Sequence, residues 1–266
     1  MTIVTAVFVA TVLCYLLASG LFVLDLDRGG AKFESWATRA LGCATVVHCV
    51  YLGLDYAYSG RTPVASVHQT LAVLSLLIAV SFLVTMRRHR LPVLGAFITP
   101  VTLLLLLAAA FRGHVAEVPE HVRSILMRLH IVVNVLGLAA FALAFAVAVA
   151  YVIQERLLRR RQVGGVFQRL PALDVLDSWG FRLVTIGFPL FTLGVVTGSI
   201  GAAQLGNVLG FSTGQGFALL AWVFFACVLL SRAAGGWRGR RAAIGTMLGF
   251  LCALAAIGGY VLRGAS

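Results

Sequence analysis

Apolar residues in this chain come in long unbroken runs, separated by short polar stretches rich in arginine. An α-helix rises about 1.5 Å per residue and a bilayer's hydrocarbon layer is about 30 Å thick, so about 20 apolar residues make one crossing. Eight runs fit that length: Ile3 to Leu24, Trp36 to Tyr58, Val64 to Met86, Leu91 to Phe111, Ile125 to Gln154, Trp179 to Ile200, Gly214 to Leu230 and Ala242 to Leu262. Within hydrocarbon each segment has to satisfy its own backbone donors and acceptors, which selects helices over isolated strands. The expected fold is all-α: a polytopic membrane protein, a bundle of about eight transmembrane helices forming one integral domain over residues 1–266. The first run has no basic region ahead of it and no small-residue cleavage site after it, and is expected to be a permanent helix.

Composition agrees with this pattern. Of 266 residues 61% are hydrophobic and 11% are charged, against roughly half and a quarter in soluble domains. Cys14, Cys43, Cys49, Cys227 and Cys252 all fall inside the runs, with no C-x-x-C pair and no C-x-x-C-H haem-attachment site. That excludes a c-type cytochrome and a thiol oxidoreductase. The net charge of +12 would suit a nucleic-acid partner in a soluble chain. Here the arginines sit at helix ends, where they set topology and meet anionic membrane lipids, and no nucleic acid is expected.

Alternate loops divide the 21 Lys and Arg unequally. Only Arg61, Arg112, Arg123, Arg128 and Arg263 fall in one set, and all the others fall in the second. The positive-inside rule places the richer set in the cytoplasm and both termini on the outer side. Of the histidines, His48 then lies in the outer half of the second run, and His68 and His130 about one turn into the third and fifth. His114 and His121 fall in the outer loop between runs four and five, and only His89 is cytoplasmic.

Ionisable groups within a membrane are costly and face a partner or a cavity. Thr45, His48, Tyr51 and Asp55 recur at helical spacing, as do His130, Asn134 and Gly137, so each helix carries a polar stripe on one face. Two neutral imidazoles on facing helices would make an axial pair for haem iron. His48 with His130 is the preferred pair, His68 the substitute partner. Arg123 and Arg128, at the outer mouth of the fifth run, suit haem propionates. A polar helix-packing network without cofactor is the other reading of the same stripes. Gly194, Gly198 and Gly201 give the sixth run a small-residue face for close helix approach, and Pro189 marks a kink in it.

Three further stretches carry a resemblance: Leu129-His130-Ile131 with Gly137 to Phe141; Leu173 to Asp177 leading to Gly187-Phe188-Pro189 and Thr197-Gly198-Ser199-Ile200; and Gly236-Trp237-Arg238-Gly239-Arg240-Arg241. In these the chain resembles the cytochrome c assembly proteins of the CcsA and HemX type, most clearly over residues 125–262. The family's external segment, approximately W-G-x-x-W-x-W-D-x-x-E, corresponds here to Leu205 to Gln215. The glycine is kept as Gly206 and one aromatic becomes Phe211, but the other tryptophans are leucines and the acids are Ser212 and Gln215. The resemblance implies that Phe211 lies against a porphyrin and that His130 is the first of two iron-holding histidines. The second, expected near the end of the last helix, is absent from Gly258 to Arg263, so His48 takes its place.

The resulting expectation is a haem-handling assembly factor, not an enzyme, in a bacterial inner (cytoplasmic) membrane. It would hold haem b non-covalently toward the outer side, with His48, His130, His68, Asn134, Arg128 and Phe211 around it. Its partners would be haem, membrane lipids, and an apocytochrome c or a cytochrome c synthetase subunit. The alternative is a HemX-like regulator of haem biosynthesis without ligation activity, using the basic loop from Gln154 to Arg169 as contact surface. A transmembrane electron carrier would need histidines near both faces, and a transporter finds no internal repeat to support it.

Overall fold

The computed structural model describes residues 2–60, 66–89, 91–110, 125–162, 164–204, 213–235 and 238–263. Within them the chain is helical: α1 (Ile3–Arg28), α2 (Ala31–Ser59), α3 (Val67–His89), α4 (Gly95–Ala108), α5 (Ile125–Arg159), α6 (Val166–Arg169), α7 (Leu173–Gln204), α8 (Thr213–Ala233) and α9 (Arg240–Arg263). Seven of these are long and apolar enough to cross a bilayer. The fourth expected span is a shorter apolar helix over Pro92–Ala108, a 3-10 turn at Pro92–Leu94 leading into α4. The fold is the expected all-α polytopic bundle, and the chain is an integral membrane protein.

Several helices outrun their apolar stretches. α5 continues from Gln154 to Arg159, and α7 starts at Leu173, well before Trp179. Hydropathy marks where the hydrocarbon ends, whereas a helix continues into water wherever polar residues can carry its hydrogen bonds. At 35 residues α5 is about 52 Å long, more than the hydrocarbon layer requires.

Helix α5 is the centre of the bundle: 72% of its apolar window is buried, against 28% in α1 and α2. It packs along α7 and also touches α9, α3 and α4, while α1 pairs with α2 and α8 with α9. Small residues allow the α5–α7 approach. A Cβ on Gly137 would lie 3.2 Å from the Gly187 carbonyl and from the Phe191 backbone nitrogen, so two backbones meet where no side chain fits. Phe141 fills the neighbouring layer, stacked on Phe225 at 3.6 Å and edge-on to Phe191. Leu16, Val46, Leu104, Ile186 and Leu230 are exposed on the outside of the bundle, an apolar surface suited to lipid.

Two contacts tie the arginine-rich end together. Asp177 of α7 pairs with Arg232 of α8 at 2.9 Å and accepts from the Gly239 N–H ahead of α9 at 3.0 Å. Arg169 of the short α6 donates to the carbonyls of Leu26 and Asp25 at 2.6 and 3.2 Å, capping α1. Capping carbonyls with a cation satisfies groups the helix end leaves open and suits the negative end of its dipole.

Candidate functional site: two histidines in the bundle

His130 and Asn134 lie one turn apart on α5 and face α7. The His130 Nδ1 is 2.8 Å from the Gly194 carbonyl oxygen. A carbonyl only accepts, so Nδ1 carries the proton and Nε2 is the bare nitrogen of the neutral ring. The Asn134 amide donates to the His130 carbonyl at 2.7 Å and reaches within 3.4 Å of Nε2. Thr197 donates to the carbonyls of Leu193 and Gly194 at 2.7 and 3.1 Å, and its hydroxyl is 3.4 Å from Nδ1.

The glycines opposite are what admit these side chains. A Cβ on Gly198 would fall 2.6 Å from His130 Cε1, and one on Gly194 would collide with the Asn134 amide. The small-residue face expected on this helix is therefore a cradle for His130 and Asn134. At Gly201 a Cβ would meet nothing within 4 Å.

His48 lies on α2, fully buried. Its Nδ1 is 3.2 Å from the Tyr15 hydroxyl of α1, and the two rings meet edge to face at 5.6 Å. The Tyr51 ring lies tilted to it, with centroids 6.0 Å apart. The His48 Nε2 is buried and has no hydrogen-bond partner among the described residues. Leaving a buried polar atom unmatched costs about 1–3 kcal/mol, and such atoms call for a functional explanation.

The two histidines are not in one helix contact. His48 belongs to α2, which packs on α1 and α3; His130 belongs to α5, which packs on α7, α9, α3 and α4. Helix α3 touches both sets and carries His68 at its start, half-buried. Next to it, Gln69 donates to Asp55 Oδ2 at 2.9 Å, so Asp55, which shares the His48 stripe, serves the α2–α3 contact. Arg128 is exposed two residues before His130. Phe211, Arg123, His114 and His121 lie outside the described residues.

Sequence reasoning missed Tyr15, whose hydroxyl fixes the His48 ring from 33 residues away, and Asp177, whose carboxylate joins three helix ends. Tyr15 is the one aromatic hydroxyl in the first apolar run, and that is the signal that would have marked it. Asp177 stood within a resemblance stretch without an assigned partner.

An iron porphyrin needs only one or two axial donors from the protein. Single imidazoles on separate helices, each hydrogen-bonded at Nδ1, have that donor chemistry. Among the described residues no three or more His, Cys, Asp or Glu cluster to hold a bare ion.

Fold and site together define a polytopic membrane protein with one buried and one half-buried imidazole held inside its bundle. A family model described as cytochrome c assembly protein matches residues 64–261, and the chain belongs to that family. The match takes in α3 and α4 as well as residues 125–261. The chain is similar to the cytochrome c biogenesis protein CcsA of Prochlorococcus marinus (strain MIT 9301), 25% identical over 255 residues, or 85% of this chain and 82% of the relative. The CcsA of Chlorella vulgaris is 26% identical over 264 residues, 86% and 84% of the two chains. That of Synechococcus sp. (strain CC9311) is 24% identical over 245 residues, 80% of each. The family and these relatives give the protein a role in cytochrome c biogenesis.

Proposed function

We propose that this protein holds haem b non-covalently in the half of the bundle away from its arginine-rich end and presents it to an apocytochrome c or a partner synthetase subunit. The observation that carries the reading is the pair of fixed imidazoles: His130 locked through Nδ1 by the Gly194 carbonyl, and His48 held by Tyr15 with its Nε2 unmatched. A hydrogen bond at the far nitrogen orients a metal-binding histidine and raises its basicity. Haem, when bound, supplies the iron for these nitrogens and the porphyrin that a c-type cytochrome finally carries.

The chain's own residues do the holding. His130 offers Nε2 from the α5–α7 cradle, and Asn134 braces it one turn below. In the tautomer whose Nδ1–H donates to the Tyr15 oxygen, His48 likewise offers Nε2; His68, on the helix touching both sets, is the substitute ligand. Arg128, exposed two residues before His130, is the residue for a propionate, and the family resemblance assigns Phe211 to the porphyrin face. The positive-inside count supports a bacterial inner membrane with the arginine-rich end in the cytoplasm and the imidazoles toward the outer side. Such a protein binds and orients and leaves the bond-making to its partners.

Maturation of c-type cytochromes in cells lacking this protein tests the reading. The wild-type chain restores covalent haem staining, whereas His130→Ala leaves less than about a tenth of it, a loss of about 1.4 kcal/mol or more. Full maturation with both His130→Ala and His48→Ala, at normal protein levels, would overturn it. A change in total cellular haem without a change in maturation would favour the HemX-like regulator.

A further inference from the structure

A second polar site lies at the arginine-rich end, away from the imidazoles. Arg156, Arg159 and Arg160 at the end of α5 and Arg240 at the start of α9 line a cleft of about 310 Å³, with Val152 and Glu155 completing it. Glu155 pairs with Arg159 at 2.8 Å and lies 3.8 Å from Arg240. Four guanidiniums thus face one carboxylate, and among the described residues Arg156 and Arg160 meet none. Guanidinium forks match phosphate oxygens in bidentate geometry.

The depth of the cleft selects the source of the phosphate. Helix α9 has 24 residues, about 36 Å, enough for the hydrocarbon layer with about a turn to spare. Arg240 is its first residue and so sits at head-group level. Below it on the same face, at spacings of four, four and three, come Ile244, Leu248 and Leu251, all of them exposed. One helix face therefore presents a cation to the head-group layer and an aliphatic track to the acyl chains beneath it.

We propose that this cleft binds the phosphate head group of an anionic phospholipid, with an acyl chain lying along Ile244, Leu248 and Leu251. Basic pockets between transmembrane helices are suited to such lipids. The site is independent of the haem reading.

The test uses the full chain in a neutral detergent, titrated with short-chain phosphatidylglycerol, with phosphatidylcholine and with inorganic phosphate, and followed by thermal unfolding and native mass spectrometry. Arg156→Gln/Arg160→Gln is compared with Arg28→Gln/Arg39→Gln, which removes the same charge from the same end outside the cleft. The expected result is preference for phosphatidylglycerol over phosphatidylcholine by about tenfold or more in the wild-type and Arg28/Arg39 proteins, lost in the Arg156/Arg160 protein. Equal binding of the two lipids, equal loss in both double variants, or inorganic phosphate binding as well as phosphatidylglycerol would each overturn the proposal. Folding of the variants is checked by their unfolding transitions in detergent alone.

Discussion

At His130 the place of one proton decides what the side chain can do. The Gly194 carbonyl holds that proton on Nδ1 and leaves Nε2 available. The arrangement depends on two missing methyl groups, since a Cβ on Gly198 would press on the ring and one on Gly194 on Asn134. Gly198→Ala is therefore expected to cost about 1–3 kcal/mol by overpacking and to tilt the imidazole off its carbonyl. Thermal unfolding in detergent reads the first effect, and an unchanged midpoint would contradict it. The helical spacing of His130, Asn134 and Gly137 made this stripe legible in the sequence, as Gly194 and Gly198 were on their own helix. That one face receives the other was not legible, because the contact joins positions 64 residues apart in the chain and no local pattern encodes it. The same holds for Tyr15 and His48.

At the scale of elements, hydropathy located the spans because the solvent there is hydrocarbon, which tolerates little but apolar side chains. It did not locate the ends of α5 and α7, which run on into water, or the short α6, held by Arg169 and by the Gln154 amide donating to the Phe167 carbonyl at 3.3 Å. The start of α7 is secured by Asp177, which pairs with Arg232 of α8 and accepts from the Gly239 N–H ahead of α9. Arg232 also lies over the Phe181 ring at 4.3 Å. Asp177→Ala strands a half-buried guanidinium and a backbone N–H together, and is expected to cost about 1–3 kcal/mol. Arg159→Ala removes an exposed ion pair with Glu155 and is expected to cost under about 0.5 kcal/mol. Similar unfolding temperatures for the two variants would contradict the lock assigned to Asp177.

For the whole molecule, the proposed function takes its direction from the charge asymmetry, which by the positive-inside rule sets the arginine-rich end in the cytoplasm. With the five cysteines replaced by alanine, a single cysteine introduced at Arg160 is expected to resist a membrane-impermeant thiol reagent in intact cells and to react after permeabilisation. Labelling in intact cells would reverse the orientation and place the imidazoles toward the cytoplasm. The central claim is that fixed imidazoles inside this bundle hold haem, and the absorption spectrum of the detergent-purified protein from a haem-replete host, oxidised and reduced, tests it most directly. The account predicts a low-spin haem spectrum in the wild type that is weakened or shifted in His130→Ala and in His48→Ala. Wild-type protein that stays free of haem even after reconstitution, or a spectrum indifferent to both substitutions, would contradict it.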